Sequence, residues 1–191
     1  GYTIDRWVFG ATLATKGTWQ QNAGSVTPPA GYKNYLGFTS NSAYTLSSTD
    51  VFSFYQAIEG YNVADLGWGT ANAKTVTLSF WVNSSLTGTF GGGLTNSAFN
   101  RSYPFNFTIS SANTWQQVSI TIAGDTTGTW ATDNSAGIQV RINLGVGSTY
   151  AGTANTWQAG GYIAPTGLTQ VVGTLGATFY ITGVQIEVGS S

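Results

Sequence analysis

The sequence predicts an all-β protein: an antiparallel β-sandwich of the jelly-roll type, two packed sheets with long loops rich in Gly, Thr and Asn. Three observations predict it. Apolar residues recur with a period of two in several separate segments, the spacing of a strand with one buried face. Helix signals are weak, because 26 glycines, with many Thr, Ser and Asn, punctuate the chain. About ten such segments alternate with polar turns, the pattern of a sandwich.

The elements follow in order. Strands are predicted at residues 3–9, 18–22, 35–39, 43–46 and 52–58, and a short helical turn at residues 63–66. The clearest strand covers residues 74–83, where Val76, Leu78, Phe80 and Val82 alternate with Thr77, Ser79, Trp81 and Asn83. Next, Tyr103, Phe105, Phe107 and Ile109 alternate with Ser102, Pro104, Asn106 and Thr108. Pro104 has no N–H for a ladder, which predicts an edge strand or a bulge. Val118, Ile120 and Ile122 mark another strand. Val140, Ile142 and Leu144 mark the following one, with Gln139, Arg141 and Asn143 on its polar side. Phe179, Ile181, Val184 and Ile186 form the last, with a bulge at Gly183. Residues 123–137 and 145–176 read as long loops, which in compact domains carry function. No charged or Pro-rich linker divides residues 1–191, so one domain is expected. The start, Gly1-Tyr2-Thr3-Ile4-Asp5, lacks a Met and a signal-peptide pattern, which predicts a piece of a longer protein.

Composition excludes several functions. Only 7% of residues are charged, against about 25% in an average domain. Cys and His are absent, which removes zinc fingers, thiol nucleophiles, disulfides and the Ser-His-Asp triad. A net charge of −1 argues against a nucleic-acid partner, which needs a basic stripe. No apolar run approaches the ~20 residues of a membrane helix, so no membrane insertion is expected. Gly91-Gly92-Gly93 is followed by no Lys-Thr and no helix, so it is not a phosphate loop. The acids are Asp5, Asp50, Glu59, Asp65, Asp125, Asp133 and Glu187. Asp125 and Asp133 share a loop and read as turn residues, and Glu59 as an exposed strand-end acid or the partner of an Arg. No catalytic pair is expected.

The aromatic and amide residues point to a ligand. Sugar rings stack their C–H faces on aromatic rings, and their hydroxyls pair with Asn, Gln and Arg. Trp81 lies on the polar side of its strand beside Asn83. If that side shares a sheet face with Gln139, Arg141 and Asn143, the five make a binding platform. Alternatively, Trp81 packs under a loop. A second set, Trp130, Tyr150, Trp157 and Tyr162, stands in the long loops. Those rings either close one side of a binding site or clamp the loops to the body.

Several segments carry a family resemblance. Phe54-Tyr55-Gln56-Ala57-Ile58-Glu59-Gly60, then Ala73-Lys74-Thr75-Val76-Thr77-Leu78-Ser79-Phe80-Trp81-Val82, resemble jelly-roll carbohydrate-binding modules, especially those of tailed-phage tail and tail-fibre proteins. Asp5-Arg6-Trp7, Asn113-Thr114-Trp115-Gln116-Gln117 and Phe179-Tyr180-Ile181-Thr182-Gly183-Val184-Gln185-Ile186-Glu187-Val188-Gly189 fit the same pattern. The resemblance implies a non-catalytic module that grips polysaccharide or a cell-surface glycan on a concave sheet face, in a virion or extracellular setting. The alternative function is a structural module that contacts other virion proteins without binding sugar. Many such modules hold a structural calcium through an acidic pair in the last strand. The matching positions here are Thr182 and Gly183, which offer no carboxylate, and no cofactor is expected.

Overall fold

The computed structural model describes residues 6–190. Residues 3–5, where the first predicted strand begins, lie outside the described residues, as does Asp5. The chain forms β1 (Val8–Ala11), β2 (Gly17–Gln21), β3 (Leu36–Ser40), β4 (Val51–Glu59), β5 (Val76–Ser84), β6 (Gly88–Thr95) and β7 (Arg101–Ile109). It continues through β8 (Gln116–Ile122), β9 (Ala136–Val146), β10 (Ala151–Gly152), β11 (Gln158–Ala159), β12 (Ala164–Pro165) and β13 (Thr178–Val188). Single 3-10 turns at Gly60–Asn62 and Ala64–Leu66 stand where the helical turn was predicted.

Two antiparallel sheets pack face to face. One has the order β1-β4-β9-β6-β7-β11 and the other β2-β3-β13-β5-β8; β10 and β12 form a separate parallel pair. The alternation read from the sequence decides which side chains enter the interior. Phe52, Phe54, Phe90, Leu94, Phe105, Ile138 and Ile142 come from the first sheet and are fully buried. Phe38, Val76, Leu78, Phe80, Ile122 and Phe179 meet them from the second. Rings interlock across the interface: Phe9 with Trp19 at 4.2 Å, Phe80 with Phe107 at 5.2 Å and Phe90 with Phe179 at 5.9 Å. Each such side chain contributes roughly 1.5–3 kcal/mol on burial.

Two elements depart from the sequence reading. Residues 43–46 form no strand; Tyr44 instead donates its hydroxyl to Asp50 and its amide to the Val172 carbonyl. A strand not predicted, β6, runs through Gly91-Gly92-Gly93 in the interior of the six-stranded sheet. Only its inward residues Phe90 and Leu94 are large, so the period of two is too short to read. Pro104 lies on β7 beyond the two residues paired with β11, where a missing N–H costs little.

The outward face of β6 explains its glycines. Residues 147–170 return across this side of the sheet as a strap. The strap is tied down by Thr169 N–H to the Thr89 carbonyl, Asn155 N–H to the Pro104 carbonyl and Tyr162 N–H to Ser102 Oγ. A methyl on Gly93 would stand 2.7 Å from the Ile163 carbonyl oxygen, closer than real carbon atoms approach. The strap therefore covers the β6 side of the face and leaves the β1–β4 side open.

Candidate functional site

The open side is built by register. Across the outward face Val8 pairs with Tyr55, Tyr55 with Arg141, Arg141 with Gly93, and Gly93 with Pro104. The next row sets Ala57 beside Gln139, and Gln139 beside Thr95. Arg6, Val8, Tyr55, Ala57, Glu59, Asn134 and Ala136 line a groove of 520 Å³ on this face, within the range of about 300–1,000 Å³ for ligand sites.

Tyr55 is part of this lining, and Arg141 is its register partner on the next strand. A methyl on Gly10 would stand 3.3 Å from the Tyr55 ring, so the ring leans towards the β1 backbone. The Arg141 guanidinium sits 4.7 Å above the Tyr55 ring centre and 5.0 Å from that of Phe99, within cation–π range of both. Phe99 reaches this position with a left-handed backbone, φ 55, which is unusual for a bulky residue. Arg141 Nη2 donates to Gln139 Oε1 at 2.6 Å. Burial disfavours the Arg141 charge and pulls its pKa below the ordinary value.

Under the strap the same face holds polar atoms without partners. Ser53 and Asn143 are paired in register, and Ser53 Oγ, Asn143 Oδ1 and Thr95 Oγ1 are buried with no hydrogen bond. The Asn143 amide donates to Gln170 Oε1 of the strap at 3.4 Å.

The candidate residues read from the sequence divide among three places. Gln139, Arg141 and Asn143 share this face, and Tyr150 stands near it, 6.4 Å from Phe99. Trp81 and Asn83 do not join them, because β5 belongs to the other sheet. The platform expected of one sheet therefore does not assemble. Trp81 is half-buried between Thr182 and Gln117. Asn83 is 1% exposed beside Tyr180. The segment before β3 packs over that face. Tyr35 donates to the Ala23 carbonyl, Trp115 Nε1 to the Thr27 carbonyl and Thr182 Oγ1 to the Asn34 carbonyl.

Trp130 and Trp157 take the clamping role. With Trp68 they form a triangle of edge-to-face rings at 4.9, 5.2 and 5.4 Å. Each indole N–H is engaged: Trp68 with the Lys74 carbonyl, Trp157 with the Ala123 carbonyl, Trp130 with Asp125. Sequence reasoning missed Tyr55 and Phe99. The signal for Tyr55 existed, since Ser53, Tyr55, Ala57 and Glu59 alternate with Phe52, Phe54 and Ile58.

The loop acids act as turn residues. Asp125 binds Arg101 through two hydrogen bonds and caps Thr127; Asp133 accepts from the Ser135 amide and hydroxyl. Burial works to raise the Asp125 pKa, but the Arg101 and Thr127 hydrogen bonds outweigh it and hold it low. Bonds from Ser47 and Thr12 lower Asp50, and bonds from Ser135 lower Asp133. Folded pKa values below the unfolded ~3.9 stabilise fully above that value, and the contribution is lost as pH falls through them. With no His in the chain, thermal melts are expected to be flat between about pH 5 and 8 and to drop below about pH 4.

Thr182 and Gly183 in β13 offer no carboxylate. The Thr182 hydroxyl is committed to Asn34, and a side chain on Gly183 would meet the Tyr32 hydroxyl at 2.5 Å. Among the described residues no cluster of three or more Asp or Glu side chains is placed to hold a metal. No described helix is long and apolar enough to cross a membrane.

This architecture has counterparts among solved structures. The enzymatically active domain of tailspike protein 4 of bacteriophage CBA120 superposes with a TM-score of 0.54 at 11% identity, over 97% of this chain. The two share a fold over the superposed region. It spans only 20% of that tailspike chain. Structural similarity extends to a CBM4 structure (TM-score 0.48, 12% identity, 97% of this chain and 96% of that one). It extends also to TmCBM61 in complex with β-1,4-galactotriose (TM-score 0.47, 10% identity, 98% and 91%). No family model and no curated protein sequence matches the chain.

Proposed function

We propose that the protein is a non-catalytic carbohydrate-binding module and that the open face of the six-stranded sheet is its binding groove. One observation carries this: the Tyr55 ring, with the Arg141 guanidinium over it and Gln139 bonded to that guanidinium, lines an open groove on an otherwise strapped sheet. The exposed part of the ring offers apolar contact to a sugar's C–H groups, and the guanidinium beside it offers a hydroxyl partner. Glu59 is the one carboxylate among the described lining residues, whereas glycoside hydrolysis uses a facing pair. The fold shared with the tailspike domain supports a place in a phage tail protein that meets a host-surface glycan. Kd values in the μM to mM range, about −8 to −4 kcal/mol, suit a module whose avidity comes from multiple copies.

The test is calorimetry on glycans selected from an array. Tyr55→Ala is expected to weaken binding about ten-fold or more, roughly 1.4 kcal/mol, while Trp81→Ala leaves it unchanged. Retained affinity in Tyr55→Ala, or its loss in Trp81→Ala, places the site elsewhere.

A further inference from the structure

Arg141 is a cation whose pairing is incomplete. The ion pair among the described residues is Arg101 with Asp125, and Arg141 faces no carboxylate there. Its Nε is buried with no acceptor, and the Nη2 bond to Gln139 is its hydrogen bond to the protein among those residues. Desolvating a charge without a counter-ion is costly, and this chain has only 6 Lys and Arg among its 191 residues. Tyr55 and Phe99 both pack against the guanidinium at cation–π distance, which favours a new partner approaching in its plane. In-plane donors in a rigid fork match a planar carboxylate.

The groove beside Arg141 allows an anion at its Tyr55 end. The cation in its lining is Arg6. Its carboxylate, Glu59, lies four residues along β4 from Tyr55, roughly 13 Å away in extended chain, beyond the ~8–10 Å screening length.

We infer that the groove selects acidic saccharides, with the sugar carboxylate pairing in plane with the Arg141 guanidinium between Tyr55 and Phe99. This rests on the carbohydrate reading of the same groove and names the class of sugar it takes.

The experiment probes the 191-residue chain with an array holding neutral, uronic-acid, sialylated and sulfated glycans. Calorimetry follows with an oligogalacturonate, its methyl ester and the strongest array ligand. The expected result is binding of carboxylated glycans at least ten-fold tighter than of their neutral or esterified forms, weakening with added salt. Arg141→Gln is expected to abolish that preference, and Arg141→Lys to restore it in part. The ester and salt comparisons use the unaltered chain, so they hold even if a variant folds poorly. Preference for sulfated over carboxylated glycans overturns the in-plane carboxylate. Equal binding of neutral and acidic glycans, lost in Tyr55→Ala, overturns the inference and leaves the carbohydrate reading standing. Binding of no glycan overturns both.

Discussion

Asp125→Ala is expected to destabilise the protein by about 3–5 kcal/mol, the cost of breaking a buried ion pair by removing one partner. Asp125 is 2% exposed and Arg101 17%. Arg101 Nε donates to Oδ2 at 2.8 Å and Nη2 to Oδ1, so the pair is bidentate. The same carboxylate also receives the Thr127 amide and hydroxyl and the Trp130 indole N–H. Removing it leaves the guanidinium without its acceptor, in a place water reaches poorly, and leaves the Trp130 indole N–H only the Thr127 carbonyl at 3.3 Å. The guanidinium has little room to swing away, because the Gly128 backbone packs on its aliphatic stem; a methyl there would stand 2.6 Å from Arg101 Cγ. Urea unfolding is expected to show a lower midpoint at unchanged slope. Trp130 belongs to the indole triangle, so tryptophan fluorescence should report the loosened loop. A loss under about 1 kcal/mol would mean the pair behaves as an exposed one.

Gly92→Ala is the second substitution with a large expected effect, about 3 kcal/mol at the upper end for overpacked cores. Gly92 pairs with Ile142 on one side and Phe105 on the other. The added methyl would stand 2.0 Å from the Arg141 carbonyl oxygen and 2.8 Å from Phe105 Cζ. The first is backbone of a central strand and the second a fully buried ring, so neither yields without shifting a strand. Gly173→Ala is the control. Its methyl would meet nothing nearer than 3.9 Å, and its effect is expected within about ±0.5 kcal/mol. Equal denaturation midpoints for the two variants would show that β6 is not clamped between its neighbours.

The glycine triplet also shows where sequence reading lost information. Periodicity identifies a strand by its large apolar residues. In β6 the positions facing the strap are Gly91 and Gly93, and the inward position between them is Gly92. The reason for glycine there is the close approach of residues 147–170 and of two strands, all distant in sequence. Strands with large residues at every inward position, such as β5, β7 and β9, were legible to within a residue or three.

The binding face was legible in part. Alternation alone places Gln139, Arg141 and Asn143 on one side of β9, and it places Trp81 on the polar side of β5. It does not say whether those sides belong to one sheet, and they do not. Trp130 and Trp157 stood out as loop aromatics, and each engages its indole N–H with a loop atom, Asp125 and the Ala123 carbonyl.

The scarcity of charge, the absence of Cys and His, the all-β class and the side of each strong strand are properties of the sequence itself. They depend on residue chemistry and on a backbone period of two, which act locally. Strand order and register were decided only by the tertiary structure. These set Tyr55 beside Arg141 and Gly93 beneath the strap, and they send Trp81 to the opposite face. Pairing between distant segments depends on packing across the whole interior, and no local pattern contains it.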